Sequence, residues 1–144
     1  MRAALLDTGP VVAFISRDDT HHGSTVSALK RSAAEGRSLC TSWEVIGEAY
    51  TLCRVRGVPT PSTTLARTVL RWAWESAVTV LGASEVDHSR TFEILTNHLD
   101  QRLSYVDALL LAIAERYAVE EVLTVDGSHF PAVRLNHVPL ITVV

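Results

Sequence analysis

Four acidic residues, Asp7, Glu48, Asp107 and Asp126, stand where a carboxylate has chemistry to do. Asp7 ends the apolar run Ala3-Ala4-Leu5-Leu6, and Asp126 ends Leu123-Thr124-Val125. Glu48 shares a predicted helix face with Val45, Leu52 and Val55, and Asp107 shares one with Leu103, Leu110, Leu111 and Ala114. An ionised carboxylate buried alone on such a face costs several kcal/mol, so it needs a partner or a cation. Each acid also has a plain local role. Asp7 can cap a helix that begins near Pro10, and Ser104 with Asp107 forms an S-x-x-D pair suited to a helix start. Glu48 reads equally as a solvated helix residue and Asp126 as a turn aspartate. Glu44 competes with Glu48, but Thr41 and Glu44 have capping-box spacing, which suits Glu44 to the helix end. No single acid decides the matter.

Taken together they point further. Unit charges about 4 Å apart repel by about 1 kcal/mol in water and about 4 kcal/mol at an effective dielectric near 20. Gathered carboxylates are therefore partly protonated or strained unless a cation sits among them. Oxygen donors without Cys or His at ligand spacing favour Mg²⁺ or Mn²⁺ over zinc. Such an ion can polarise a phosphoryl oxygen, generate hydroxide from water and steady a leaving oxygen.

The elements that must position these acids are short apolar runs alternating with helical patterns. Ala3–Leu6 reads as a buried strand, with Pro10 placed to start a helix from Val11 to Ser16. Asp18-Asp19-Thr20 introduces a second helix that ends at Gly36, and Leu39-Cys40 reads as a second strand. Helices follow from Thr41 to Arg56 and, after Pro59 and Pro61, from about Ser62 to Ser76. Val78 to Leu81 is the third strand, then come helices from Ser84 to Leu99 and Ser104 to Tyr117. Glu121 to Val125 is a fourth strand and Leu140 to Val144 a fifth. The pattern predicts a single α/β domain over residues 1–144, with a mainly parallel central sheet of four to five strands. In open sheets of that kind sites form at the carboxyl ends of strands, where Asp7 and Asp126 are expected.

Composition sets the remaining bounds. The chain has 144 residues, enough for one compact domain, with 47% hydrophobic and 20% charged residues, so disorder is excluded. No apolar run reaches membrane-spanning length, and Asp7 interrupts the N-terminal apolar run where a secretory leader would continue. A cytoplasmic location with no membrane partner is the expectation. Cys40 and Cys53 lie in apolar surroundings and read as reduced core thiols. A net charge of −3 does not advertise a nucleic-acid binder unless a cation neutralises a nest of the acids.

The ordered set Asp7-Thr8, Ser42-Trp43-Glu44-Val45-Ile46-Gly47-Glu48, Leu103-Ser104-Tyr105-Val106-Asp107-Ala108 and Leu123-Thr124-Val125-Asp126…His129-Phe130 resembles the PIN-domain family. Within it the set looks most like the VapC-type toxins, and the similarity covers nearly the whole chain. The resemblance implies a three-layer α/β/α domain. It also implies a Mg²⁺- or Mn²⁺-dependent endoribonuclease that leaves a 5′-phosphate and a 3′-hydroxyl, forms a homodimer and is inhibited by a cognate antitoxin protein. By motif position Asp7, Glu48, Asp107 and Asp126 form the catalytic, metal-binding quartet. Asp7 and Asp107 would hold the principal ion, while Thr8 and Thr124 would hydrogen-bond the carboxylates or a bound water. One departure is that three residues, Gly127-Ser128-His129, separate Asp126 from Phe130, where many relatives have two. This makes Asp126 the loosest member.

Other readings compete. Asp7-Thr8-Gly9 also resembles the triplet of aspartic proteases, but those are built of strands and helices dominate here. A haloacid dehalogenase-type phosphatase would need an acid where Gly9 stands. A non-catalytic PIN-like module that binds RNA or protein would not be expected to retain all four acids. Of twelve arginines, Arg17, Arg31, Arg54, Arg56 and Arg102 are candidates to grip an RNA backbone, though most arginines serve as ordinary surface charge. His21, His22 and His129 are candidate neighbours of the site. The apolar stretches Val11–Ile15 and Trp72–Trp74 are candidate surfaces for a second copy or an antitoxin helix, if they are not core.

Overall fold

The structure is a computed structural model that describes residues 1–56, 61–128, 130 and 133–144. The elements run β1 (Ala3–Leu6), α1 (Thr8–Ile15), α2 (His22–Ala34), β2 (Ser38–Ser42), α3 (Trp43–Val55), α4 (Thr63–Glu75), β3 (Thr79–Leu81), α5 (Glu85–Asn97), α6 (Tyr105–Arg116), β4 (Glu121–Thr124) and β5 (Leu140–Val143). The five strands form one sheet in the order β3-β2-β1-β4-β5, and every pairing is parallel. Helices cover both faces, giving a three-layer α/β/α domain. Pro59 and His129 lie outside the described residues.

Parallel strands bury both faces, which is why β1 and β4 lack a polar alternation and β1 has no exposed residue at all. The main core joins β1 and β4 to Val45, Ile46, Ala49, Leu109, Leu110 and Ile113. A smaller cluster of Ile94, Ala108, Leu111, Ala112, Phe130 and Val133 packs under α5 and α6. The chain leaves β1 towards β2 and β3 on one side and returns to β4 and β5 on the other. The carboxyl ends of β1 and β4 therefore meet at the point where the strand order reverses, the usual place for a crevice in an open α/β sheet.

Several helix starts differ from the sequence reading. Helix α1 begins at Thr8 with Asp7 as its cap, so Pro10 is the third helical residue. That is tolerated because the first helical N–H groups have no partner inside the helix. Asp18-Asp19-Thr20 forms a turn instead of a cap: Asp19 accepts the His21 N–H at 2.8 Å, and α2 starts at His22. The α2 end follows the expectation. Gly36 takes φ +78°, and the Gly36 and Arg37 N–H groups bond the carbonyls of Ala33 and Ser32. Thr41 is not the cap of α3, because its hydroxyl donates to the Leu6 carbonyl at 2.9 Å and belongs to β2. Ser42 caps the helix through Val45 N–H, and the capping-box role expected for Glu44 is lost.

Candidate active site

Asp7 follows the last residue of β1 and starts α1, so one residue ends the central strand and caps a helix. Its backbone N–H continues the sheet by bonding the Leu123 carbonyl at 3.0 Å. One carboxylate oxygen accepts the Thr8 N–H at 2.7 Å and the other the Thr124 hydroxyl at 2.8 Å. Only 9% of the residue is exposed. Burial pushes its carboxyl up to about 6; the Thr8 and Thr124 hydrogen bonds hold it down in part, while the charges of Asp107 and Glu48 push it up further.

Glu48 lies on the second turn of α3, half-buried, and accepts the Thr8 hydroxyl at 2.5 Å. Thr8 thus bonds Asp7 through its backbone and Glu48 through its side chain. Asp107 is the third residue of α6 and closes a capping box: its carboxylate accepts the Ser104 N–H at 3.0 Å, and its own N–H donates to the Ser104 hydroxyl at 3.0 Å. The local capping role and the place near Asp7 hold at once. Glu44, four residues before Glu48 on α3, has a buried Oε2 without a hydrogen-bond partner among the described residues. Its spacing from Thr41 predicts a helix-capping role for that carboxylate. With the cap shifted to Ser42, its oxygen remains an unmet acceptor on the helix that carries Glu48.

Asp126 is exposed, and its carboxylate accepts the Ser128 N–H at 3.0 Å, an aspartate turn. Its link to Asp7 runs through Thr124, whose hydroxyl also receives the Asp126 N–H at 3.2 Å. The structure thus brings Glu48 and Asp107 into electrostatic reach of Asp7, with Asp126 joined to Asp7 through Thr124. Among the described residues no three Asp, Glu, His or Cys side chains already stand together as a metal cage. The donor chemistry nonetheless fits a hard divalent cation. The donors are all carboxylate oxygens, one acid is held above its ordinary range by burial with its neighbours' charges adding to it, and Glu44 offers an oxygen lacking a donor.

Of the basic candidates, Arg31 bonds Glu121 at 3.0 Å, at the opposite end of β4 from Thr124. This removes it from the acidic edge. Arg17, Arg54, Arg56 and Arg102 are exposed. The His22 ring nitrogen meets the Ala13 carbonyl and that of His21 the Val144 carbonyl, while His129 is not described. Val11 is core, whereas Phe14 and Trp72 are half-buried, with ring centroids 5.9 Å apart. They border an apolar cavity of about 550 Å³ together with Leu29, Leu39 and Val78. Cys40 and Cys53 are buried free thiols, and burial pushes both thiol pKa values up. No helix among the described residues is long and apolar enough to cross a membrane.

Comparison with known proteins agrees with this architecture. Ribonuclease VapC26 of Mycobacterium tuberculosis is 28% identical over 130 residues, covering 90% of this chain and 91% of that protein. The crystal structure of VapC20 from the same organism, described as a sarcin-ricin loop cleaving toxin, superposes with a TM-score of 0.76 at 23% identity. It covers 94% of this chain and 98% of that one. VapBC2 from Rickettsia felis, solved bound to a DNA fragment from its promoter, gives a TM-score of 0.70 at 15% identity and 97% coverage of both chains. The PIN domain profile matches residues 4–134, nearly the full length. The chain belongs to the PIN domain family.

Proposed function

We propose that the protein is a metal-dependent endoribonuclease that hydrolyses RNA phosphodiester bonds, and that it is the toxin of a type II toxin–antitoxin pair. The observation that carries the chemistry is the buried Asp7 carboxyl, held near 6 by burial and by the charges of Asp107 and Glu48 at the sheet's carboxyl edge. The ribonuclease activity named for VapC26 and the toxin activity named for VapC20 support the reading. In this reading Asp7 and Asp107 hold the principal Mg²⁺ or Mn²⁺ ion, and Glu48 and Asp126 complete its surroundings directly or through water. A bound divalent ion supplies charge stabilisation for the phosphate and a nucleophile at neutral pH.

The chain's own residues do the positioning. Thr8 N–H and the Thr124 hydroxyl fix one Asp7 oxygen each, and the Thr8 hydroxyl fixes Glu48. The Ser104 capping box fixes Asp107 against rotation about its own helix start. The acids are thereby held in place before substrate arrives, so little reorganisation is needed at the reacting phosphate. A cognate antitoxin and a second copy of the chain are the proposed protein partners, and the cytoplasm the proposed location.

The test is cleavage of tRNA, rRNA and mRNA fragments with Mg²⁺, Mn²⁺ or EDTA, with wild type run beside Asp7→Asn. Metal-dependent cutting that is lost in the variant is the expected result. A folded protein that neither cuts nor binds Mn²⁺ would overturn the nuclease and favour a non-catalytic binding module.

A further inference from the structure

Tyr105 is the first residue of α6, two positions before Asp107, and is 48% exposed. Its hydroxyl lies 2.8 Å from Nδ1 of His88, an exposed residue in the first turn of α5. The ring planes are within 9° of parallel, with centroids 6.3 Å apart. This hydrogen bond ties two near-parallel, laterally offset rings together, and both residues are exposed. Both ends of this surface are anchored. The Ser104–Asp107 capping box fixes the turn that carries Tyr105. Asp87, next to His88, is fully buried, bonds Ser84 N–H at 2.7 Å and receives Arg116 Nε at 2.7 Å. Because Tyr105 opens the helix that carries Asp107, the ring pair borders the acidic edge.

We propose that Tyr105 and His88 form a stacking platform for one unpaired nucleobase of the substrate beside the scissile phosphate. This rests on the ribonuclease reading above. Every base has a π-face, and stacking on an aromatic side chain gives affinity without Lys or Arg. The chain has little cationic surplus, since its net charge is −3. Arg31, Arg37, Arg90 and Arg116 are each engaged with a carboxylate. With those four arginines committed to ion pairs, stacking adds to whatever phosphate contacts exposed arginines such as Arg54, Arg56 and Arg102 make. A duplex keeps its bases stacked on one another and offers none to the platform.

The test uses the full chain and a short unstructured RNA of mixed sequence, with binding measured by fluorescence anisotropy in EDTA and cleavage with Mn²⁺. Tyr105→Ala is expected to weaken single-strand binding about tenfold and to raise KM with kcat held, while duplex binding stays unchanged. Tyr105→Phe keeps the ring but loses the hydrogen bond to His88, so it is expected to fall between wild type and Tyr105→Ala. An abasic nucleotide beside the cleaved bond abolishes the difference between wild type and Tyr105→Ala. If Tyr105→Ala does not fold, His88→Ala carries the same expectation. Wild type that cleaves RNA while both alanine variants match it in KM and affinity overturns the platform and leaves the nuclease standing. A loss confined to kcat overturns it as well. Wild type that neither binds nor cleaves RNA overturns both readings.

Discussion

Asp7 is the residue on which burial, charge and hydrogen bonding act against one another. Its carboxyl is raised from an ordinary 3.8 to about 6, first by burial. A carboxyl raised in the folded state stabilises the fold fully while protonated, below its ordinary value, and that stability is lost as pH rises through about 6. Without divalent metal, Asp7→Asn should then be more stable than wild type by about 2–3 kcal/mol at about pH 8, the gap closing near pH 4. Urea unfolding in EDTA at the two pH values measures this, and an Asn variant no more stable at the higher pH would show that burial is not the dominant influence. Thr124 acts on the same carboxylate from outside. Thr124→Val removes a donor that holds the Asp7 pKa down. It should cost about 10- to 100-fold in Mn²⁺ affinity, as losing a ligand's supporting hydrogen bond commonly does. Titration calorimetry on the two proteins gives the comparison, and equal affinities would leave Thr124 a purely structural residue.

At the scale of elements, the seam between α1 and the end of β4 sets the site's geometry. A Cβ on Gly9 would stand 2.3 Å from Cγ2 of Val125 and 3.0 Å from its Cγ1. Gly9 therefore lets the first turn of α1 lie against the chain that leaves β4, between the strand ends that carry Asp7 and Thr124. Gly9→Ala is expected to lose about 1–3 kcal/mol of stability, with Val125→Ala in the same chain recovering most of it. A double variant as unstable as the sum of its parts would place the strain elsewhere. The sheet was legible in sequence because parallel strands are continuous apolar runs. Helix starts were less so, since a cap depends on which neighbouring hydroxyl the sheet has already claimed: Thr41 bonds Leu6 and leaves the cap to Ser42. The S-x-x-D signature shows the same limit. Ser84–Asp87 and Ser104–Asp107 both close capping boxes, yet Asp87 is fully buried against Arg116 while Asp107 acts on Asp7. Only the neighbouring element distinguishes a structural carboxylate from a candidate ligand. The platform at Tyr105 was not legible at all, because its partner His88 lies on another helix.

Across the whole molecule the sheet has buried acids at both ends, and they are handled in opposite ways. Glu121, 1% exposed at the amino end of β4, accepts Ser32 at 2.8 Å, Thr142 at 2.6 Å and Arg31 at 3.0 Å. Burial raises its carboxyl, but the Thr142 and Ser32 hydrogen bonds and the Arg31 and Arg37 charges outweigh that and hold it below the ordinary range. Asp7 at the other end has threonine donors, but burial, with the charges of Asp107 and Glu48 added, raises its carboxyl. One end is thus complete with the chain's own cations, while the other fits an added one. Metal binding and protonation should then compete at the carboxyl end alone. Mn²⁺ should raise the wild-type Tm at neutral pH, and the increment should shrink as pH falls below about 6, where the ion must displace a proton from Asp7. Asp7→Asn and Asp107→Asn should lose the increment. Glu121→Gln should lower the Tm with and without Mn²⁺ and keep the increment, because its partners are already in place. Scanning calorimetry over that pH range separates the cases: an Mn²⁺ increment that survives in Asp7→Asn, or vanishes in Glu121→Gln, would put the cation at the other end of the sheet.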